Sequence, residues 1–269
     1  MHQIRKAGIV CCSNALSPAN RSDLDTLCTL LAQHDIQTTC SELLYSDTEF
    51  CGNPQQRADA LMQFYRDDSI TDIFDVSGGD LANSILPNLD YACIAASKAC
   101  FWGYSDLTTI LNAIYAKTGK AGVLYQVRNL LSPVHCADSE LFRFPCRFIH
   151  GNHLNGIVIG GNIRCFLKLA GTPYMPDFSN KILLLEARSG TCAQMFTYLA
   201  QLQQLGAFDK ISGILLGTFT QMQREHCTPD IISLVQSFSG SLPIAITPNI
   251  GHAADSHAVY IGKPIHLTR

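Results

Sequence analysis

Short apolar segments alternate with amphipathic segments through the first 120 residues of the chain. Residues 8–12, 72–76 and 99–102 have the length and apolar content of buried strands. After the third of these, apolar residues recur at helical spacing over residues 107–115. This alternation indicates a parallel sheet covered by helices, because parallel strands need a long crossover connection, usually a helix. The sequence therefore predicts an α/β fold.

The alternation is interrupted between residues 131 and 155. This stretch contains two prolines, two arginines and three histidines, a composition typical of a connecting segment. After it the strand and helix pattern resumes, and residues 258–267 are predicted to form a short hairpin around Gly262. We predict an N-terminal parallel-sheet α/β domain over 1–130, a linker over 131–155 and a smaller C-terminal α/β domain over 156–269.

Composition narrows the function classes. The chain has 269 residues, 15% charged residues and a net charge of −3, so no nucleic-acid or membrane partner is expected. The first six residues precede only a short apolar run over 7–12, which predicts neither a secretory signal nor a membrane span. A cytoplasmic protein is expected.

The 12 cysteines of the chain have irregular spacing without a Cys-x-x-Cys pair, which predicts reduced and mostly buried thiols.

Two glycine-containing turns follow predicted strands, at residues 77–80 (Ser-Gly-Gly-Asp) and 103–106 (Gly-Tyr-Ser-Asp). Ligand sites of parallel sheets lie at such strand ends. Ser105 is predicted to occupy a sharp turn before a helix, where backbone N–H groups can stabilise an oxyanion. The alternative is that Ser105 only caps the helix, and its spacing alone favours that simpler role. The segment is not a Gly-x-Ser-x-Gly motif, because Leu107 replaces the second glycine.

A serine nucleophile needs a base and a group that orients the base. Among nine histidines, His252 stands out because it follows a predicted strand and Gly251. Glu186 stands out because it ends the apolar run 182–185. Each residue taken singly is more often structural than catalytic. The 77–80 turn likewise could donate an N–H to an oxyanion or be a plain turn.

Metal binding is the competing chemistry for the histidines. His252, Asp255 and His257 lie close in sequence, as do His150 and His153. Neither set matches a zinc helix motif with a catalytic glutamate. We therefore expect no metal site.

Several segments together resemble the LD-carboxypeptidase family of serine peptidases, which includes the microcin C immunity peptidases. They include a Gly-Gly turn followed by a Leu-Pro-x-x-Asp-Tyr segment, the nucleophile turn and an acid at a strand end. Their order is that of the family, and they extend over nearly the whole chain. The matching segments are 78–79, 85–91, 103–108, 160–162, 171–177, 183–186, 208–217 and 251–252.

The resemblance implies a catalytic triad of Ser105, Glu186 and His252 at the interface of the two domains. It also implies an oxyanion hole from the backbone of Gly79 and Asp106, a homodimer, and no metal or organic cofactor. The implied reaction is hydrolysis of the amide bond to a terminal D-alanine in cytoplasmic muropeptides, through an acyl-enzyme, in peptidoglycan recycling. Two alternatives remain: an immunity-type amidase acting on acyl-sulfamoyl adenylates, and a non-catalytic peptide-binding relative, against which the intact triad argues.

The chain departs from the family pattern beside the site. Ala187 stands where the family usually has aspartate, residues 124–128 replace a His-Gly-Pro segment, and residues 11–14 replace a Pro-Ser run. The only tryptophan is Trp102, so the connecting segment has no tryptophan to stack on an adenine, which disfavours a nucleotide substrate. The candidates for binding a substrate carboxylate are Arg128, Arg143 and Arg147, with no choice among them.

Overall fold

Two six-stranded mixed sheets with helices organise the chain in the computed structural model, which describes residues 5–269. Residues 1–4, the beginning of the segment considered as a secretory signal, lie outside the described residues. The α/β class and the two-domain arrangement predicted from the sequence are confirmed. Both sheets are parallel in their centres and antiparallel at one or both edges.

The first sheet has the strand order β11-β5-β4-β3-β1-β2, and β1 to β5 run parallel. The helix predicted over 107–115 is α4, and it ends at Gly119, whose φ of 73° suits a glycine cap. The N-terminal elements are β1 (Arg5–Val10), α1 (Arg21–Gln33), β2 (Ile36–Cys40), α2 (Pro54–Arg66), β3 (Asp72–Asp75), α3 (Tyr91–Ala96), β4 (Cys100–Gly103), α4 (Thr108–Thr118) and β5 (Gly122–Leu124).

The second sheet has the strand order β12-β7-β8-β9-β10-β6. Its strand β8 carries the apolar run 182–185, in which every residue is fully buried, as expected for a strand covered on both faces. The remaining elements are β6 (Arg147–His150), β7 (His153–Asn162), α5 (Ile163–Leu167), β8 (Lys181–Ala187), α6 (Cys192–Gln204), β9 (Gly213–Phe219), α7 (Thr220–Arg224), α8 (Ile231–Ser239), β10 (Ile244–Ile246), β11 (Val259–Ile261) and β12 (Pro264–Thr268).

The predicted C-terminal hairpin is wrong. Strand β11 pairs antiparallel with β5 of the first sheet, whereas β12 pairs antiparallel with β7 of the second. Between them the chain turns at Gly262, which has a φ of 90° and lies against the ring of Tyr115. Each strand completes the edge of a different sheet, and Val259 and Ile261 are buried as a result.

Strand pairing extends across the predicted domain boundaries, which stay a prediction. The predicted linker 131–155 contains β6 and the start of β7, both in the second sheet. The predicted domain 156–269 contributes β11 to the first sheet. The chain therefore crosses between the two sheets three times, from β5 to β6, from β10 to β11 and from β11 to β12.

Helix α4 joins the two sheets through buried polar contacts. The Asn112 amide donates to the Gly160 carbonyl at 2.8 Å and accepts from the Gly160 N–H at 2.9 Å. The Thr108 hydroxyl accepts from the Asn162 N–H at 3.1 Å. Gly161 has a φ of 127°, and a Cβ there would lie 2.8 Å from the Thr108 hydroxyl. Satisfied buried hydrogen bonds of this kind hold α4 in one position against β7.

Candidate active site

Ser105 lies in a strained turn between β4 and α4. Its φ is 54°, in the left-handed region, which costs a non-glycine residue about 1–2 kcal/mol. A Cβ at Gly103 would lie 2.6 Å from the side chain of Leu107, so the tight turn requires glycine there. The helix-cap alternative is not realised, because residues 104 and 107 occupy the cap positions and the Ser105 hydroxyl contacts His252 instead.

Glu186, His252 and Ser105 form a continuous chain of polar contacts. The Nε2 atom of His252 lies 3.2 Å from the Ser105 hydroxyl, and its Nδ1 atom lies 2.9 Å from a carboxylate oxygen of Glu186. Glu186 is fully buried near the end of β8, and 10% of the His252 side chain is exposed. A carboxylate facing Nδ1 holds the imidazole in the tautomer whose Nε2 can accept a proton from serine.

Gly251 allows the loop that carries His252 to pass close to β9. A Cβ at this position would lie 1.7 Å from the hydroxyl oxygen of Thr218. The backbone of Thr218 donates to the carbonyl of Ile250 at 2.8 Å, so the loop is also tied to β9 by a hydrogen bond. The glycine before the histidine, noted in the sequence, thus sets how closely His252 approaches β8 and β9.

Tyr104 is a third neighbour of the imidazole that sequence reasoning missed. Its hydroxyl lies 3.3 Å from Glu186 and 3.4 Å from Nδ1 of His252, and its ring packs edge-on against the imidazole. Burial, and then the neighbouring carboxylate, raise the pKa of the Tyr104 phenol well above its usual range. The phenol therefore stays protonated and donates to Glu186. Its place directly before Ser105 was the one available signal.

The two glycine turns predicted at strand ends meet beside Ser105. Gly79 has a φ of 128°, and a Cβ there would lie 2.1 Å from the amide oxygen of Asn14. That oxygen accepts a hydrogen bond from the N–H of Asp80 at 2.9 Å, which fixes the 77–80 turn. Gly79 and Ser105 line the same cavity, and Asp106 follows Ser105 directly. The oxyanion-hole role of Gly79 and Asp106 stays a prediction.

The side chain of Asp106 ties this turn to both domains. It is fully buried and accepts from the Ser13 hydroxyl at 2.7 Å, the Ala82 N–H at 2.8 Å and the Lys168 ammonium at 2.6 Å. Lys168 follows α5 and also donates to the Asp80 carbonyl at 2.9 Å. One lysine of the second domain thus holds both glycine turns of the first. No sequence pattern pointed to Lys168.

A cavity of about 400 Å³ opens over Ser105 and His252. Of the three arginines considered for a substrate carboxylate, Arg128 lines it, whereas Arg143 and Arg147 line other cavities. Arg188, which the sequence reasoning did not consider, lines it as well. The Trp102 indole faces a separate cavity and donates to Asp72 at 3.0 Å.

The competing metal sets are not assembled in the described part of the chain. Over residues 5–269, no three His, Cys, Asp or Glu side chains are grouped as a metal would require. His257 contacts the backbone carbonyl of Glu140, and His150 contacts that of Leu242. Within the same residues, no helix has the length and apolar character needed to cross a membrane.

All 12 cysteines are free thiols. Five are buried, six are partly exposed and one is exposed, so fewer are buried than the sequence suggested. Burial raises the pKa of the Cys11 and Cys12 thiols well above the usual value, so neither is activated as a nucleophile.

Ser105 and His252 line a cavity between the two α/β domains, and Glu186 is buried behind His252, an arrangement compatible with a hydrolase. Residues 7–126 match the family model of the LD-carboxypeptidase N-terminal domain, and residues 155–267 match that of the LD-carboxypeptidase C-terminal domain. The chain belongs to the LD-carboxypeptidase family and is a peptidase of the carboxypeptidase and amidase type.

Curated relatives agree with this assignment, and a solved structure has a similar fold. The chain is 27% identical to a probable murein peptide carboxypeptidase of Bacillus subtilis (strain 168), over 91% of this chain and 84% of the relative. It is 28% identical to the microcin C7 self-immunity protein MccF of Escherichia coli, over 62% of this chain and 61% of the relative. Its fold is similar to that of an MccF-like protein from Bacillus anthracis strain Ames, with a TM-score of 0.88 and 23% identity over 100% of this chain and 95% of that one.

Proposed function

We propose that the protein is a serine-type LD-carboxypeptidase that hydrolyses the amide bond to a terminal D-alanine in cytoplasmic muropeptides. The observation that carries the proposal is the line of contacts from Ser105 through His252 to the buried Glu186, with lengths of 3.2 Å and 2.9 Å. Such lengths suit the transfer of a proton from the hydroxyl to the imidazole.

Each residue then has a role in a two-step reaction. Ser105 attacks the amide carbonyl while Nε2 of His252 takes the hydroxyl proton, and the N–H groups of Gly79 and Asp106 stabilise the oxyanion. His252 next donates that proton to the leaving amine, which frees D-alanine and leaves an acyl-enzyme on Ser105. A water molecule, deprotonated by His252, hydrolyses the ester and restores the serine. Glu186 stabilises the imidazolium that forms in both steps.

A muropeptide substrate is supported by two further observations. The relative named as a murein peptide carboxypeptidase matches 91% of this chain, against 62% for the microcin self-immunity protein. The single tryptophan faces another cavity, so it offers no stacking surface for an adenine in the active-site cavity.

The second candidate is an immunity-type amidase that cleaves acyl-sulfamoyl adenylates. It is favoured by the 28% identity to the microcin C7 self-immunity protein. The reacting groups would be the same in both cases, so only the substrate separates the two functions.

The test is release of D-alanine from a disaccharide tetrapeptide by the unaltered protein and by Ser105→Ala. We expect release by the unaltered protein and a loss of at least about 10³-fold in the variant, with circular dichroism showing that the variant is folded. Equal release by both proteins would remove Ser105 from its role. Cleavage of an aspartyl-sulfamoyl adenylate without D-alanine release would establish the second candidate instead.

The remaining features implied by the resemblance belong to the same proposal. A role in peptidoglycan recycling requires a cytoplasmic location, which cell fractionation measures. A homodimer is expected, and light scattering coupled to size-exclusion chromatography would give its mass, in contrast to the 29.4 kDa of a single chain.

A further inference from the structure

The active-site cavity carries positive charge on a protein whose net charge is −3. Among residues 5–269, its lining includes Arg128 and Arg188 and no aspartate or glutamate. Glu186 is fully buried behind His252 and does not line it. Two like charges in one cavity repel each other, and a bound anion removes that cost.

Arg128 has hydrogen-bond donors to spare. Within residues 5–269 its guanidinium forms no ion pair, and its Nε atom is buried without a hydrogen-bond partner. The nearby acid Asp23 shares only a small adjoining cavity of about 20 Å³ with it and lies beyond ion-pair distance. A half-buried guanidinium without a protein partner is a ready site for a carboxylate, which it can bind through two parallel hydrogen bonds.

The segment that carries Arg128 is held against the loop that carries His252. The side-chain amide of Asn129 donates to the Ser256 hydroxyl at 2.9 Å and to the carbonyl of Ala253 at 3.4 Å. The N–H of Arg128 itself donates to the Gln126 side chain at 3.3 Å. The backbone that carries the Arg128 side chain is therefore fixed relative to His252, the proposed base.

Arg188 differs from Arg128 in its exposure. It lies two residues after Glu186, its side chain is exposed, and its carbonyl accepts from the Gln221 N–H at 3.1 Å. An exposed arginine at the edge of a cavity mainly attracts anions from solution, and salt screens that attraction.

We propose that Arg128 binds the free carboxylate of the residue that leaves, and that Arg188 draws anionic peptides into the cavity. This inference rests on the proposed function and adds the group that decides which peptides are cleaved. The segment 124–128, in which the chain departs from the family pattern, supplies this specificity-determining residue. Peptides with a free C-terminal carboxylate are bound, and their C-terminal amides are bound poorly.

The experiment measures binding without turnover, using Ser105→Ala protein. The probes are L-Ala-γ-D-Glu-meso-diaminopimelyl-D-Ala and the same peptide with a C-terminal amide, each titrated calorimetrically. We expect the acid to bind about 10- to 100-fold more tightly than the amide, which is the range for a charge-assisted hydrogen-bonded pair. Adding Arg128→Gln removes this preference by weakening the acid alone, and Arg128→Lys restores part of it.

Arg143→Gln is the matched control, because Arg143 is exposed, pairs with Glu140 and lines a different cavity. It leaves the preference unchanged. Arg188→Gln lowers affinity for the acid at low salt and has little effect at high salt.

Equal weakening of both peptides by Arg128→Gln would assign Arg128 a structural role and overturn the inference. A preference that survives Arg128→Gln, or no binding of either peptide, would also overturn it. If the Arg128-dependent preference is intact but the unaltered protein releases no D-alanine, the proposed reaction is refuted and the carboxylate site stands.

Discussion

Replacing Lys168 by methionine tests how the structure holds the turn that follows Ser105. Lys168 is 19% exposed in its side chain and donates at 2.6 Å to the fully buried carboxylate of Asp106. Removing one partner of a buried ion pair costs about 3–5 kcal/mol, because the other charge stays buried. Two donors to Asp106 remain, from Ser13 and Ala82, and the lysine is partly hydrated. We therefore expect Lys168→Met to lower the free energy of unfolding by about 2–3 kcal/mol.

Thermal and urea unfolding followed by circular dichroism measure this loss. For a chain of this size it corresponds to a decrease in Tm of roughly 5–10 °C. Lys210→Met is the control, because Lys210 is an exposed lysine, and such a change stays within about 0.5 kcal/mol. D-alanine release by Lys168→Met should also fall, by about 10-fold. The reason is that a shift of the Asp106 side chain also displaces its backbone N–H, the proposed oxyanion donor.

The double variant Lys168→Met/Asp106→Asn separates the charge from the packing. If the cost arises from an unpaired buried carboxylate, neutralising Asp106 restores most of the lost stability. Lys168→Met unfolding at the same temperature as Lys210→Met would refute the reasoning. So would a double variant that is no more stable than Lys168→Met alone.

Three other variants or reagents probe the site. Glu186→Gln lowers kcat for D-alanine release by about 10³–10⁴-fold, since an amide no longer favours the required imidazole tautomer, and a loss below tenfold would contradict its role. Gly79→Ala brings a Cβ within 2.1 Å of Asn14 and lowers kcat by about 10²-fold, whereas Gly78→Ala meets no atom within 4 Å and is the matched control. Burial raises the pKa of the Cys12 thiol, so its thiolate fraction at pH 8 is below that of a free thiol and increases with pH. Mass spectrometry after iodoacetamide treatment should therefore find Cys12 unmodified in native protein at pH 8 and modified in urea, and equal modification would contradict its burial.

Local signals predicted the elements around Ser105 well. The apolar stripe over 107–115 and the glycine at 119 correspond to α4 and its end. The sharp turn at Ser105 was predicted because a strand leads directly into a helix there. In the structure Ser105 has a φ of 54°. These features depend on residues that are neighbours in the chain, so pattern and propensity are sufficient.

Pairing between short strands was predicted poorly. Residues 259–261 and 264–268 have the pattern of a hairpin, yet each pairs with a different sheet. Strands of three to five residues carry little information about their partners, and the choice depends on which sheet edge is open when the domains meet. Strand β6 was missed for the same reason, since Arg147 and its neighbours pair only with the distant β10.

The sequence by itself determined the alternation of strands and helices, the glycine turns at strand ends and the serine in the sharp turn before α4. Those features follow from local sterics and from hydrophobic periodicity. Only the tertiary structure decided that His252 reaches a serine 147 residues away and that Tyr104 and Lys168 flank the site. It also decided that Arg128 lines the cavity, whereas Arg143 and Arg147 line other cavities. The physical reason is that such distances depend on how α4 packs against β7 and on how the strand ends of two sheets meet, which are non-local interactions.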